Sequence, residues 1–248
     1  MAAKRPGRSS KRGEVEYPCS DGKPMESDLH RIEMWYSIYA LKAHFRDVPD
    51  VYVSGNLFIY YVEGEPRYRV APDTFVAKGV PNAKDLRDLY KVWEEGQPPC
   101  FVLEITAKST RTEDLYKKKG LYRSLGVEEY LLYDPLEEYL SPSLQGFRLA
   151  QGPGSEYLPL ALEADGSLVS SVLGVVFRRE GQRLRLIDAR TGDLYLHFEE
   201  RSVLLREAQQ AEERAARQAD QAAEARRGAE QRVAQLAAEL ARLRQSLE

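Results

Sequence analysis

The sequence predicts an α/β core followed by one long helix. Three observations carry this reading. Between about residues 14 and 200, short runs rich in β-branched and aromatic residues alternate with segments of helical periodicity. From about Arg201 the composition changes to Ala, Gln, Glu and Arg, without proline. Ahead of both, residues 1–13 carry five basic and no acidic side chains among Ser, Gly and Pro, the composition of a disordered arm, either a plain solvated tail or one with weak attraction for phosphate. The expected organisation is a basic arm over 1–13, a globular domain over 14–200 and a helical extension over 201–248.

Composition narrows the class. The chain has 248 residues and a net charge of −3, with 43% hydrophobic residues, enough for one core of ordinary size. No apolar run approaches the roughly 18 residues of a membrane span, and the arm lacks the apolar stretch of a secretory signal. Two cysteines, Cys19 and Cys100, are too few for a disulfide scaffold and point to a reducing, cytoplasmic compartment. His30, His44 and His197 lie far from both in sequence, so no zinc-site spacing exists. Balanced charge excludes a chain that is basic throughout, but not a local nucleic-acid surface.

Each element follows in order. Ser27 can cap a helix beginning near Asp28, with Leu29, Ile32, Tyr36, Tyr39 and Ala43 at helical spacing and Pro49 as its stop. Strands are expected at Val51–Val53, Asn56–Val62 and Tyr68–Val70, with a turn at Gly64–Pro66, and again at Thr74–Ala77 after Pro72-Asp73. A loop bearing Gly79, Pro81, Gly96, Pro98 and Pro99 leads to the strand Cys100–Thr106. Thr110-Arg-Thr-Glu113 is a capping box, so a helix should run from about Arg111 to a stop at Gly126. Strand Glu129–Tyr133 follows, closed by Asp134-Pro135. Later strands are expected at Phe147–Leu149, Val175–Arg178, Leu184–Ile187 and Leu194–Phe198. In the tail, positions from Leu205 to Leu247 alternate spacings of three and four. They form a heptad seam strongest after Ala229 and interrupted by Glu212 and Arg226. That seam predicts a coiled coil, hence a homodimer or small homo-oligomer.

Two carboxylates sit where a bare strand would not want them. Along Phe101-Val-Leu-Glu-Ile, alternation puts Val102, Glu104 and Thr106 on one face and Phe101, Leu103 and Ile105 on the other. Helices before and after this strand suggest a sheet covered on both faces. A buried ionised carboxylate is costly there unless it is paired or binds a metal. Asp73 stands similarly just ahead of Thr74–Ala77. Two such carboxylates suit a hard cation, since Mg²⁺ is commonly held by one or two of them with water and substrate phosphate. A lysine completes the set. At about 100° per residue, Leu115, Leu121, Tyr122 and Leu125 form an apolar stripe with Lys118 at its centre, while Lys117 and Lys119 turn to either side. Lys118 therefore points inward, as a snorkelling lysine, as the partner of a core carboxylate, or as a catalytic cation. Lys108, beyond the strand end, competes for that role from a position exposed by default.

The ordered segments Val70-Ala-Pro-Asp73-Thr-Phe-Val, Phe101-Val-Leu-Glu104-Ile-Thr, Lys108 to Lys118, and Tyr122 with Gly126-Val-Glu-Glu-Tyr130 resemble the Uma-type restriction endonucleases of the PD-(D/E)XK nuclease superfamily. The resemblance extends to Ser20–Met25, Tyr52–Leu57 and Asp134-Pro135, and covers about residues 17–150. It implies a restriction-endonuclease-like core, a mixed sheet flanked by helices. Asp73 then matches the aspartate of the motif and Glu104 its second acidic position. Thr106 stands where the motif lysine would, and the lysine looks displaced to the following helix as Lys118, in agreement with the stripe. Glu26 and His30, near the start of the first helix, and Tyr122 are secondary candidates.

What the resemblance implies is a Mg²⁺- or Mn²⁺-dependent DNA endonuclease in which Asp73, Glu104 and the Ile105 carbonyl hold the metal and Lys118 serves the attacking water or the phosphorane. DNA affinity would come from Lys117–Lys119, Arg111, Arg123 and the arm. Two other classes fit the same residues: a catalytically weak binding module that dimerises through its coil, and a hydrolase of another phosphate substrate.

Overall fold

The computed structural model describes residues 15–18, 27–106, 117–152 and 154–245. The basic arm, Cys19, the Ser20–Met25 segment, Glu26, Lys108, Arg111 and the capping box at 110–113 lie outside the described residues. The chain divides into two compact units, Met1–Tyr195 and Leu196–Glu248.

The first unit is built on a six-stranded mixed sheet. Its strands are β1 (Val51–Ser54), β4 (Thr74–Lys78), β6 (Phe101–Ile105), β7 (Glu129–Tyr133), β8 (Leu144–Leu149) and β9 (Tyr157–Pro159), adjacent in that order. All neighbours are antiparallel except β6 and β7. A parallel pair needs a crossover, and the segment between these two strands contains the short helix α3 (Lys119–Ser124). A second sheet, β10 (Leu168–Ser170), β11 (Val175–Glu180) and β12 (Arg183–Asp188), is antiparallel throughout. A third is small: β2 (Ile59–Tyr60) lies between β3 (Arg69–Val70) and β5 (Tyr90–Lys91).

Strand alternation sorts the core into two clusters, one on each face of the main sheet. Phe101 and Leu103 of β6 and Leu131 and Tyr133 of β7 pack with helix α1 (Asp28–His44) and with Phe177, Leu184 and Leu186 of the second sheet. Val102, Tyr130 and Leu132 turn the other way, to Tyr122 of α3 and to Ile59 and Tyr90 of the small sheet. Both faces are covered, so every residue of β6 and β7 is buried. That explains their near-continuous apolar sequence and the exceptional character of the two glutamates among them, Glu104 and Glu129.

Several elements differ from expectation. Ser27 does cap α1, its side chain accepting from His30 N–H at 3.1 Å. The buried face of that helix, however, is Glu33, Met34, Tyr36, Ser37, Ala40 and Leu41; Ile32 and Tyr39 are exposed. Two polar residues inside the stripe disguise it. Ser37 Oγ bonds the Glu33 and Met34 carbonyls and Thr74 Oγ1, and Glu33 accepts Leu184 N–H at 2.8 Å. The expected strand Asn56–Val62 shrinks to Ile59–Tyr60, the two residues in ladder register with β3 and β5. The presumed loop before β6 contains β5 and a one-turn helix, α2 (Val92–Glu95), closed by Gly96 at φ 75°. Leu194–Phe198 is not a strand: Leu194 makes a single bridge to Ile187, and Phe198 already begins the next helix. Strands β9 and β10 form in segments where the sequence pattern predicts none.

The second unit is dominated by α4 (Phe198–Gln245), 48 residues without interruption. At 1.5 Å per residue it extends about 72 Å. Its seam residues Val233, Leu236, Leu240 and Leu243 are 56–67% exposed. Among the described residues, no helix is long and apolar enough to cross a membrane.

Candidate active site

The site forms at the end of β6, where the register of the sheet brings two carboxylates together. Thr74 lies opposite Leu103 and Phe75 opposite Val102. One further step of that antiparallel register sets Asp73 against Glu104. The approach is held by the backbone: Asp73 Oδ2 accepts Ile105 N–H at 2.7 Å. Gly55, leaving β1, makes room for it. A Cβ there would stand 1.9 Å from the Asp73 carbonyl oxygen and 2.7 Å from Ile38 Cδ1. The other oxygen of Asp73 lies 2.9 Å from His30 Nε2, so the first turn of α1 also fixes this carboxylate.

Glu104 is 1% exposed, and both its oxygens are engaged from the α3 segment. Lys118 Nζ donates to Oε2 at 2.9 Å and Tyr122 OH to Oε1 at 2.6 Å. The two donors are four residues apart, the helical spacing that places side chains on one face. Lys117 is exposed, and Lys119 lays its ammonium 3.3 Å from the centroid of the Phe147 ring. Burial lowers the Lys119 pKa. Burial, and after it the charge of Glu104, raises the Tyr122 phenol well above its ordinary value. Tyr122 is therefore a hydrogen-bond donor across the physiological range.

The structure thus gathers Asp73, Glu104, Lys118, His30 and Tyr122 into one constellation. Glu26 and Lys108 lie outside the described residues. Arg123, expected as a DNA contact, pairs with Glu156. Sequence reasoning missed Tyr139, whose hydroxyl accepts from Thr106 Oγ1 at 2.6 Å. Thr106 continues the Glu104 face, but its partner lies 33 residues downstream, on a loop that no periodicity marks.

Among the described residues there is no group of three or more His, Cys, Asp or Glu that could hold a metal. The available donors are two carboxylates. Their hard oxygens suit Mg²⁺ or Mn²⁺ rather than a thiophilic ion, and such ions complete their shells from backbone carbonyls, water and substrate. The donor set fits a cation of that class.

An α/β core with paired strand carboxylates and an inward lysine is the architecture on which the comparisons bear. Residues 23–183 match the family model Uma2, described as "Putative restriction endonuclease". The chain belongs to this family. It is also similar to a solved structure described as a "putative nuclease belonging to DUF820" from Anabaena variabilis ATCC 29413. The two are 14% identical with a TM-score of 0.43, over 62% of this chain and 80% of that one. No curated protein matches the chain.

Proposed function

We propose that the protein is a metal-dependent DNA endonuclease. The observation that carries this reading is the joining of Asp73 to β6 through Ile105 N–H, beside a Glu104 that faces Lys118. In the proposed reaction water adds to a phosphodiester phosphorus, the bond to one ester oxygen breaks, and that oxygen leaves with a proton. Asp73 and Glu104, with the Ile105 carbonyl, would hold Mg²⁺ or Mn²⁺. When bound, such an ion supplies Lewis acidity at the phosphoryl group and a more acidic water. Lys118 sets a positive charge against the phosphate oxygens and orients the attacking water. Tyr122 fixes the Glu104 rotamer, and His30 does the same for Asp73.

The Lys118–Glu104 ion pair favours a second reading. A carboxylate that is neutralised by a lysine and capped by a phenol is also how a purely structural buried acid is satisfied. The chain would then be a binding module that assembles through the α4 seam. Plasmid nicking with Mg²⁺ or Mn²⁺ by wild type, Glu104→Gln and Lys118→Met separates the two. Metal-dependent cleavage by wild type alone is expected. Equal cleavage by all three would remove the assignment. No cleavage, combined with no Mn²⁺ binding by calorimetry, would favour the binding module.

A further inference from the structure

The outer face of α1 carries aromatic rings that the core does not take up. Trp35 is 52% exposed and Tyr39 63%, with Ile32 beside them. The two rings meet edge to face, their centroids 6.4 Å apart. Four residues separate them, so they stand on adjacent turns of one helix face. Exposed apolar residues scattered singly need no explanation, but a contiguous aromatic pair marks a contact surface.

Cations continue that face. Lys42, three residues beyond Tyr39, forms no ion pair among the described residues. Arg46, in the turn after the helix, pairs with Asp47, but both side chains are largely exposed and such a pair contributes little. The acid on this face, Asp28, is already paired with Arg31. Lys42 and Arg46 both line a cavity of about 330 Å³ beside the edge strand β1. Lys84 joins them there. It is fixed by the Phe45 carbonyl at 2.9 Å and the Val51 carbonyl at 3.5 Å, neither of which neutralises its charge. Arg87 also lines the cavity, but its guanidinium is spent on Glu95 and on nearby carbonyls. Asp85 is the acid among the lining residues, so the cavity keeps a positive excess.

Rings that lead into a cationic cavity answer the two parts of a nucleic-acid strand, π faces for its bases and charge for its phosphates. In a duplex the bases are already stacked on one another, so the arrangement suits an unpaired strand. A second copy of the chain would be met by further apolar side chains around the rings, whereas here cations follow them. The helix also starts at the site, since His30 in its first turn holds Asp73. Trp35 lies five residues further, about 7.5 Å along the axis. A strand held at Asp73 therefore has this face within reach.

We propose that the outer face of α1 binds single-stranded DNA, its bases stacking on Trp35 and Tyr39 and its phosphates meeting Lys42, Arg46 and Lys84. The proposal rests on the nuclease reading and names its substrate class, DNA that carries an unpaired stretch.

Trp35 can report on its own surface. The chain has two tryptophans, and Trp93 packs with Tyr17, ring centroids 5.6 Å apart. In the full-length Trp93→Phe protein, Trp35 is the sole tryptophan. Titration with oligothymidylate in EDTA, where no metal-dependent cleavage intervenes, should quench its emission to saturation. A blunt duplex of equal length should not. Anisotropy of labelled oligothymidylate then compares wild type with Trp35→Ala, Trp35→Phe and Lys42→Gln. Trp35→Ala should weaken binding about tenfold, the size of one lost base–ring stack, and Trp35→Phe should keep most of it. Lys42→Gln should lower the slope of log affinity against log salt by about 0.7. Both side chains are exposed, so melting temperatures should not move. Equal affinity in Trp35→Ala, or equal quenching by the duplex, would overturn the proposal and leave plasmid nicking to judge the nuclease reading. Emission that follows protein concentration and ignores DNA would overturn it as well and assign the rings to a second copy. Quenching by the single strand without metal-dependent nicking would uphold the binding surface and remove the nuclease reading.

Discussion

Lys118 Nζ and Glu104 Oε2 meet at 2.9 Å, the carboxylate 1% exposed on β6 and the lysine still reaching solvent from the segment that enters α3. The asymmetry decides what each substitution does. Lys118→Met leaves an ionised carboxylate buried with one fewer donor. Removing one partner of a fully buried pair costs about 3–5 kcal/mol, and the residual solvent at Lys118 places this case at the lower end. Adding Glu104→Gln removes the uncompensated charge, so the double variant should recover part of that stability in urea titrations. Cleavage should stay absent in both. A double variant less stable than either single one would mean that the pair is not the coupled unit the geometry describes.

Tyr122→Phe deletes the donor to Glu104 Oε1 and preserves the ring in its cluster. A hydrogen bond to a charged group contributes about 1.5–3 kcal/mol, so a comparable loss is expected in denaturant titration. Activity should fall as well, because the Glu104 rotamer is no longer fixed from that side.

The parts of the site that were legible are those governed by local periodicity. Alternation along β6 marks Glu104 as inward, and a helical period marks Lys118 among three lysines. Asp73 is legible from its place ahead of a strand. The rest depends on contacts far apart in sequence. His30, named as a secondary candidate through the resemblance alone, reaches Asp73 across 43 residues, and Tyr139, not named at all, reaches Thr106 across 33, through a helix end and a loop whose positions no short pattern encodes. The buried face of α1 departs from the expected stripe for the same reason. Glu33 and Ser37 look like surface residues until Leu184 N–H and Thr74 Oγ1 supply their partners. The small sheet was unreadable because its strands are two residues long and gain their identity only from one another.

Alkaline pH should unfold the chain before its buried tyrosines ionise freely. Burial is the first cause holding the phenols of Tyr90, Tyr122, Tyr133 and Tyr157 above the ordinary value. The folded state therefore keeps these protons more tightly than the unfolded chain does. That contribution is fully present below about pH 10 and is lost as pH rises beyond it. Tyrosinate absorbance and circular dichroism should change together above that point. Phenol ionisation without loss of structure would contradict the burial. Burial likewise pushes the Cys100 thiol up to about 12, so alkylation of Cys100 at neutral pH should require unfolding.

Gly55→Ala tests the support of Asp73 rather than its chemistry. The new Cβ would collide with the Asp73 carbonyl, a main-chain atom that cannot rotate away. Overpacking of this kind costs about 1–3 kcal/mol where the backbone can shift. The shift would move Asp73 relative to Ile105 N–H, so cleavage should fall further than the melting temperature explains. A fully active Gly55→Ala protein would show that the approach of β1 to Asp73 is not needed for the site.

The seam of α4 should pair with a second copy of the chain. Val233, Leu236, Leu240 and Leu243 are all more than half exposed along the helix. Fully burying such a side chain contributes about 1.5–3 kcal/mol, so pairing offers several times the gain of any exposed ion pair on the same helix. Arg226 interrupts the seam and turns to Glu230 of its own helix at 2.9 Å, an exposed contact that contributes little. Removing all residues after Arg201 should reduce the mass in light scattering to that of a single chain. Arg226→Leu should act oppositely, raising the concentration-dependent melting temperature by extending the apolar seam towards Ala219 and Ala222. If truncation leaves the mass unchanged, the copies do not associate through α4. If truncation lowers it while Arg226→Leu has no effect, pairing is confined to the leucine-rich half after Ala229.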